Sequence, residues 1–301
     1  MNSSTSWQLA TKPKKWPPDN AMSYTIRAAL YDGQQRLESA SPSAQLDARV
    51  LLGEVMQMSH AQLIAHDRDV LTPTQQRHYD EMLKRREAGE PVAYIIGRRA
   101  FYDRDIIVTP DVLIPRPETE HVLEAALEFA SGKADVMAVD VGTGSGALAV
   151  TFKARMPNAT VYATDISEAA LHVARQNANV HRADIHFLHG DLLKPLIAQQ
   201  IRVDLIMANL PYIESGELPQ LDVSHYEPHL ALDGGDDGLD LIRRLLRQAG
   251  DVCNPAATIL LEIGATQGQA TLELARNTLS PAQVDIIKDL AGHDRVVRII
   301  L

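Results

Sequence analysis

The sequence predicts an α/β protein: a doubly wound, mostly parallel sheet with a small helical domain before it. Three observations carry that expectation. From Val136 onward short apolar runs alternate with helical stretches, in the order "VMAVDVG", "TVYATD", "DIHFLHG", "VDLIMAN" and "ATILLEIG", and strands separated by helices pair in parallel. The last two runs, "VDIIKDL" and "RVVRIIL", have no helix between them, so the sheet is expected to end in an antiparallel hairpin. From about Tyr24 to Ala88 the apolar residues recur at helical spacing instead.

Residues 1–20, "MNSSTSWQLATKPKKWPPDN", are polar and Pro-rich without apolar periodicity, and are expected to form a flexible tail. A transit peptide would favour Arg, and none occurs before Arg27. Residues 21–92 are expected to form the helical domain. Ser41 or Ser43 would cap "AQLDARVLLGEVM", Thr72 or Thr74 would cap "QQRHYDEMLKRREAG", and Gly89 would stop the last helix. Residues 93–112 turn β-rich in "YIIGRRAFYDRDIIVTP" and read as a hairpin linker. Residues 113–301 are left for the α/β domain that holds the sheet.

A chain of 301 residues with 45% hydrophobic residues can build one large or two smaller cores. No apolar run approaches the roughly 18 residues of a membrane helix, and the amino terminus lacks a signal peptide's apolar core. The single cysteine, Cys253, excludes an internal disulfide framework and suits a reducing compartment, so a cytoplasmic location is expected. The eleven His show no metal-ligand spacing, and no metal is expected. Residues 1–100 carry 13 Lys/Arg against 11 Asp/Glu, whereas residues 101–301 carry 16 against 28. An acidic excess of that size argues against a long nucleic acid as substrate.

The stretch "VDVGTGSGALAV" puts Gly142, Thr143, Gly144, Ser145 and Gly146 in a turn between a strand and a helix. Glycines there permit a tight turn and let backbone N–H groups and the positive helix end approach an anionic or polar ligand. Nineteen residues after Gly146, Asp165 ends "TVYATD" and can accept both hydroxyls of a ribose. Asp191 and Leu192 follow the third strand in "HGDLL". The dinucleotide pattern G-x-G-x-x-G is not met, because the third glycine comes one residue early and Asp140 stands just before the turn. Asp140-x-Gly142-x-Gly144-x-Gly146 resembles the signature of S-adenosylmethionine-dependent methyltransferases. That resemblance implies a Rossmann-like sheet, S-adenosyl-L-methionine as cofactor, and Asp191 near its adenine amino group.

The fourth strand, "VDLIM", runs into "ANLPYI", where Pro211 forbids its extension. Asn209 and Tyr212 therefore lie just past a strand's carboxyl end, the edge where open parallel sheets bind ligands. With "GEPVAYIIGRRAFYDRDIIVTPDVLIPRPETE", "LALDGGDDGLDLIRRLL" and "LEIGATQGQ", the chain resembles the HemK/PrmC family over residues 45–301. Those proteins are glutamine N5-methyltransferases of peptide chain release factors.

The resemblance implies that the Asn209 side chain and the Leu210 carbonyl grip the target amide. Pro211 and Tyr212 would form a flat wall beside it, and Asn209 would also border the cofactor. Arg116 and Glu118 of "IPRPETE" would join the domains and edge the site, and Phe101 would line the target pocket. Leu210 departs from the family's usual Asn-Pro-Pro-Tyr, standing where the first Pro would be. "DGGDDGLD" reads equally well as a plain loop and helix cap, and His172, His181, His186 and His189 as surface or helix residues.

Other functions stay open on the residues alone. A planar adenine amino group also fits an Asn-x-Pro-Tyr turn, a ribosomal protein glutamine would present the same chemistry, and a non-catalytic binding module could keep the fold.

Overall fold

The computed structural model describes residues 24–301. The tail expected over residues 1–20 lies outside them. The chain divides into two compact units, Met1–Gly89 and Glu90–Leu301.

The first unit is helical: α1 (Ile26–Leu37), α2 (Ala44–Met56), α3 (His60–Ala65) and α4 (Pro73–Glu87). Thr72, not Thr74, caps α4, in a reciprocal box with Gln75 and with Pro73 at the first helical position. Ser43 holds the N-cap position of α2 without making a cap bond. Its hydroxyl and that of Ser41 donate instead to Asp47, which Arg86 of α4 also reaches at 2.7 Å. A buried carboxylate outcompetes the backbone for those hydroxyls because charged acceptors bond more strongly. The glycine inside α1, Gly33, has a packing reason, since a Cβ there would stand 2.1 Å from the buried Tyr79 hydroxyl.

The second unit begins with α5 (Val92–Ile96) and a two-stranded antiparallel hairpin of β1 (Arg98–Phe101) and β2 (Arg104–Ile107). Then follow α6 (Glu120–Ala130), β3 (Met137–Val141), α7 (Ala147–Arg155), β4 (Thr160–Asp165), α8 (Glu168–His181), β5 (Ile185–His189) and α9 (Lys194–Ala198). The chain closes through β6 (Val203–Ala208), α10 (Asp240–Val252), β7 (Cys253–Glu262), α11 (Gly268–Leu279), β8 (Gln283–Lys288) and β9 (Asp294–Ile300).

The seven-stranded sheet has the order β5-β4-β3-β6-β7-β9-β8. All pairings are parallel up to β7, and β9 alone runs against its neighbours β7 and β8. The expected terminal hairpin is present, but it folds back so that β9 enters between β7 and β8. The strands read as continuous apolar runs because both faces are covered. Ala138, Leu205, Met207 and Leu260 join Leu123 and Ala126 of α6 and Phe152 of α7. Val139, Ile206, Ala208 and Leu261 join Ile242, Leu245 and Leu246 of α10 and Ala275 of α11.

The β1–β2 hairpin belongs to this unit's core. Phe101 and Ile106 are buried within it, and Asn177 of α8 accepts from Ile107 N–H at 2.7 Å while donating to Ile107 O and Ser145 O. Phe101, expected to line the target pocket, is 1% exposed and packed inward. An aromatic ring at the end of a short strand is stabilised more by core burial than by a place at a wet edge. Among the described residues no helix is long and apolar enough to cross a membrane, and no group of three His, Cys, Asp or Glu could hold a metal.

Candidate active site

The carboxyl ends of β3, β4, β5 and β6 open onto one cavity of about 220 Å³. Its walls include Asp140, Gly142, Thr143, Gly144, Ser145, Asp165, Asp191, Leu192, Asn209, Leu210 and Pro211, together with Arg116, Thr119 and Arg244. The fold therefore brings together nearly every residue nominated from sequence. Tyr212 does not line the cavity. Its carbonyl accepts from Gln267 Nε2 at 3.0 Å, and its ring lies 3.6 Å from where a Cβ on Gly264 would stand.

All three glycines of the turn have positive φ, at 71°, 54° and 81°, a region glycine enters without penalty. Gly146 starts α7, and a Cβ there would meet the Ala174 backbone of α8 at 3.2 Å. Above Gly144 there is open space. One part of the sequence reading needs correction: most of the turn's amides are engaged within the protein. Gly142 and Thr143 donate to Thr164 O, Gly144 donates to Asp165 Oδ2, and Gly146 donates to Thr143 O. The turn is thus no anion cradle of the kind that holds a pyrophosphate.

Carboxylates dominate the cavity instead. Asp140 is 1% exposed and accepts from Thr143 Oγ1 at 2.6 Å and Ala149 N at 3.2 Å. Burial pushes its carboxyl up to about 6 against those two bonds. Asp165 is also raised by burial, while the amides of Ser167 and Gly144 oppose the rise and fix its rotamer. Asp191 is engaged by protein cations: Arg244 Nη2 lies 2.5 Å from Oδ1 and Lys194 Nζ 2.8 Å from Oδ2. Burial disfavours its charge, yet Lys194 and Arg244 hold its carboxyl below the usual range.

A cavity with three aspartates and mostly satisfied turn amides fits a ligand bearing cationic groups and sugar hydroxyls, and suits phosphates poorly. The S-adenosylmethionine expected from the sequence has that chemistry.

At the end of β6, Asn209 Nδ2 donates to Thr119 Oγ1 at 2.9 Å. Among the described residues nothing donates to Asn209 Oδ1 or to the Leu210 carbonyl. Leu210, the departure from the family pattern, is 3% exposed and joins the core on the α10 side of the sheet. Its Cδ2 would lie 3.0 Å from a Cβ on Gly142, so the residue closes the floor beneath the glycine turn.

Two distant segments pin the turn that follows. Ile213 N–H donates to Leu232 O, Gly234 N–H donates to Ile213 O, and Gln267 bridges Tyr212 O and Gly264 N. The loop "DGGDDGLD" is a strap over the Asn-Leu-Pro-Tyr turn. Its glycines are needed because side chains at Gly234 and Gly238 would strike the Pro211 and Tyr212 carbonyls at 2.8 and 2.3 Å. The segment "IPRPETE" is anchored by Glu227, which is buried and accepts from Arg116 Nη2 at 2.6 Å and Ile114 N at 3.1 Å.

Sequence reasoning missed Thr119, Glu227, Glu262 and Gln267. A weak signal existed for Glu262, a single charge ending the otherwise apolar run "ATILLE".

The sheet order, the glycine turn and the aspartate-lined cavity at the strand ends define a protein of the S-adenosylmethionine-dependent methyltransferase fold. The T. thermophilus 16S rRNA N2 G1207 methyltransferase in complex with AdoMet and guanosine shares the fold. It has TM-score 0.50 and 17% identity, with 67% of this chain and 49% of that one covered. The hMettl16 catalytic domain in complex with MAT2A 3'UTR hairpin 6 gives TM-score 0.52 and 13% identity over 64% of this chain and 74% of that one.

A family model described as PrmC N-terminal domain matches residues 28–97, and one described as methyltransferase small domain matches residues 121–225. The release factor glutamine methyltransferase of Moorella thermoacetica is 41% identical, covering 90% of this chain and 96% of its own length. Those of Cereibacter sphaeroides and Neisseria gonorrhoeae are each 42% identical, covering 90% and 83% of this chain and 95% and 91% of their own. The chain belongs to the release factor glutamine methyltransferase family.

Proposed function

We propose that this chain transfers a methyl group from S-adenosylmethionine to the side-chain amide nitrogen of the glutamine in the Gly-Gly-Gln loop of a peptide chain release factor. The observation that carries the proposal is the end of β6. There Asn209 Oδ1 and the Leu210 carbonyl stand unengaged beside the cavity that holds Asp140, Asp165 and Asp191.

A carboxamide nitrogen is a poor nucleophile because its lone pair is delocalised into its carbonyl, so the site must orient it. Asn209 Oδ1 and Leu210 O each accept one N–H of the target NH2, which aims the nitrogen and stabilises the positive charge that grows on it. Pro211 and Tyr212 stiffen the turn that presents both oxygens, with Tyr212 standing behind the wall. S-adenosylmethionine, when bound, supplies an electrophilic sulfonium methyl and leaves as S-adenosylhomocysteine.

For that cofactor Asp165 would take the ribose hydroxyls, and the turn from Gly142 through Thr143, Gly144 and Ser145 to Gly146 would leave room for its amino-acid end. Asp191 and Leu192 would edge the adenine, whose amino group would share Asp191 with Arg244 and Lys194, since a carboxylate has about four acceptor sites. The N–H proton becomes strongly acidic once the C–N bond forms, so a carbonyl or water suffices to receive it.

The helical unit would recognise the release factor outside its glutamine. The family model matching residues 28–97 supports that reading, and the single cysteine, buried in β7, supports a cytoplasmic setting. Incubation with methyl-labelled S-adenosylmethionine and an intact release factor should label its Gly-Gly-Gln glutamine. A short Gly-Gly-Gln peptide should be methylated with at least a roughly tenfold lower kcat/KM, the loss of a second contact area. Label appearing in a ribosomal protein or nucleic acid instead would overturn the substrate assignment.

A further inference from the structure

Asn209 can only accept the target amide if its own amide faces the right way, and an isolated carboxamide has no intrinsic preference between its two flips. The structure holds a device that chooses. The parallel pairing of β6 with β7 matches Ala208 to Leu261, so one residue further on Asn209 comes abreast of Glu262. Parallel partners point to the same face, here the one covered by α6. At the amino end of α6 stands Thr119, 5% exposed, with its hydroxyl 2.9 Å from Asn209 Nδ2.

Glu262 is 2% exposed, and neither of its carboxylate oxygens has a hydrogen-bond partner among the described residues. The Thr119 hydroxyl faces that carboxyl closely enough to favour its charged form, although outside hydrogen-bond geometry in the rotamer seen. A buried carboxylate with no partner is costly, and a hydroxyl beside it with an uncommitted proton is the available remedy.

We infer that Thr119 and Glu262 are positioning residues that fix the flip of Asn209. The Glu262 carboxylate accepts the Thr119 O–H, which leaves Thr119 Oγ1 only lone pairs for Asn209, so Nδ2 must turn inward and Oδ1 outward to the target amide. This rests on the proposed glutamine methylation.

Protonation of Glu262 undoes the selection. The neutral acid can itself donate to Thr119 Oγ1, the Thr119 proton is then free to bond Asn209 Oδ1, and both flips become available. The groups facing Glu262 are Glu118 and Arg116 from the segment before α6, Tyr212 from the turn after β6, and Arg295 from β9. Arg116 is committed to Glu227 and Arg295 to Asp289, and neither forms an ion pair with Glu262. Burial foremost, helped by the Glu118 charge, lifts the Glu262 carboxyl to about 7 against the pull of Thr119 and the two arginines. The switch therefore sits in the working pH range, with the active flip on the alkaline side.

The test measures kcat and KM for an intact release factor, and the Kd of S-adenosylmethionine, between about pH 6 and pH 8.5. Wild type should lose kcat as pH falls through about 7. Thr119→Val, which keeps the shape and removes the hydroxyl, should lower kcat about twofold or more, the loss when two flips of equal energy share the population, while leaving Kd unchanged, and Thr119→Ser should recover most of that loss. Glu262→Gln carries both a donor and an acceptor, so it should behave like the neutral acid, with kcat about twofold lower and flat across the range.

Wild-type kcat in Thr119→Val, or an acidic limb that persists in Glu262→Gln, would overturn the inference. If Thr119→Val fails to fold, the Glu262→Gln profile decides alone. A wild-type chain that binds S-adenosylmethionine and labels no release factor overturns the proposed function itself, and that result is visible before any variant is made.

Discussion

At the scale of single residues, the site depends on a few polar atoms whose partners are elsewhere in the chain. Asn209→Ala removes the oriented acceptor while Thr119, Asp140 and Asp165 stay in place. The expected outcome is a fall in methyl transfer of roughly a hundredfold or more, the scale seen when one transition-state acceptor or donor is lost. S-adenosylmethionine binding, read by calorimetry, should be largely retained; near-normal turnover would remove Asn209 from its proposed role.

Much of this was legible in the sequence. The glycines, Asp165, Asp191 and Asn209 sit at strand ends, and strand ends can be read from an apolar run that stops at Gly, Asp or Pro. Thr119 and Glu262 were not legible as partners of Asn209. They are 90 and 53 positions away in the chain, and only the pairing of β6 with β7 under α6 makes them neighbours.

At the scale of elements, the strap formed by "DGGDDGLD" and Gln267 holds the Asn-Leu-Pro-Tyr turn. Gly238 has φ of +71° and no room for a side chain, with the Tyr212 carbonyl 2.3 Å from any Cβ. Gly238→Ala should cost roughly 2 kcal/mol or more in stability, from strain and overpacking together. Because the displaced group is the turn proposed to hold the target amide, kcat should fall further than cofactor affinity. Thermal melts with labelled-transfer kinetics check both, and an unchanged melting temperature would show that the strap is not tight.

The strand order of this region was readable only in part. A terminal hairpin follows from two apolar runs with no helix between them, but its insertion of β9 between β7 and β8 depends on which edge buries more surface. The β1–β2 hairpin read as a linker from composition, and its place in the core came from Phe101, Ile106 and the Asn177 bridge.

At the scale of the whole molecule, Glu262 ties function to stability. Its carboxyl rises from an ordinary 4.5 to about 7 on folding, so the folded protein binds the proton more tightly than the unfolded chain. That contribution is full below about pH 4.5 and is lost as pH rises through about 7, an upper bound of about 3 kcal/mol from the size of the shift. Glu262→Gln has no such dependence. Its melting temperature should therefore gain on wild type steadily between about pH 5 and pH 8, and a constant difference would mean the carboxyl does not titrate in the fold. A site that needs this carboxylate charged gives up some stability to have it so, as strained functional groups commonly do.

The sequence by itself determined the fold class, the glycine turn, the strand that stops at "ANLPYI" and the methyltransferase class, because each is written in local periodicity, in glycine and proline positions, and in short spacings. Tertiary structure alone decided that most of the turn's amides are satisfied internally, that Leu210 floors Gly142, that two remote loops strap the Asn-Leu-Pro-Tyr turn, and that Thr119 and Glu262 flank Asn209. Those facts arise from strand order and helix packing, which join residues by distance in space; no local pattern in the chain encodes that distance.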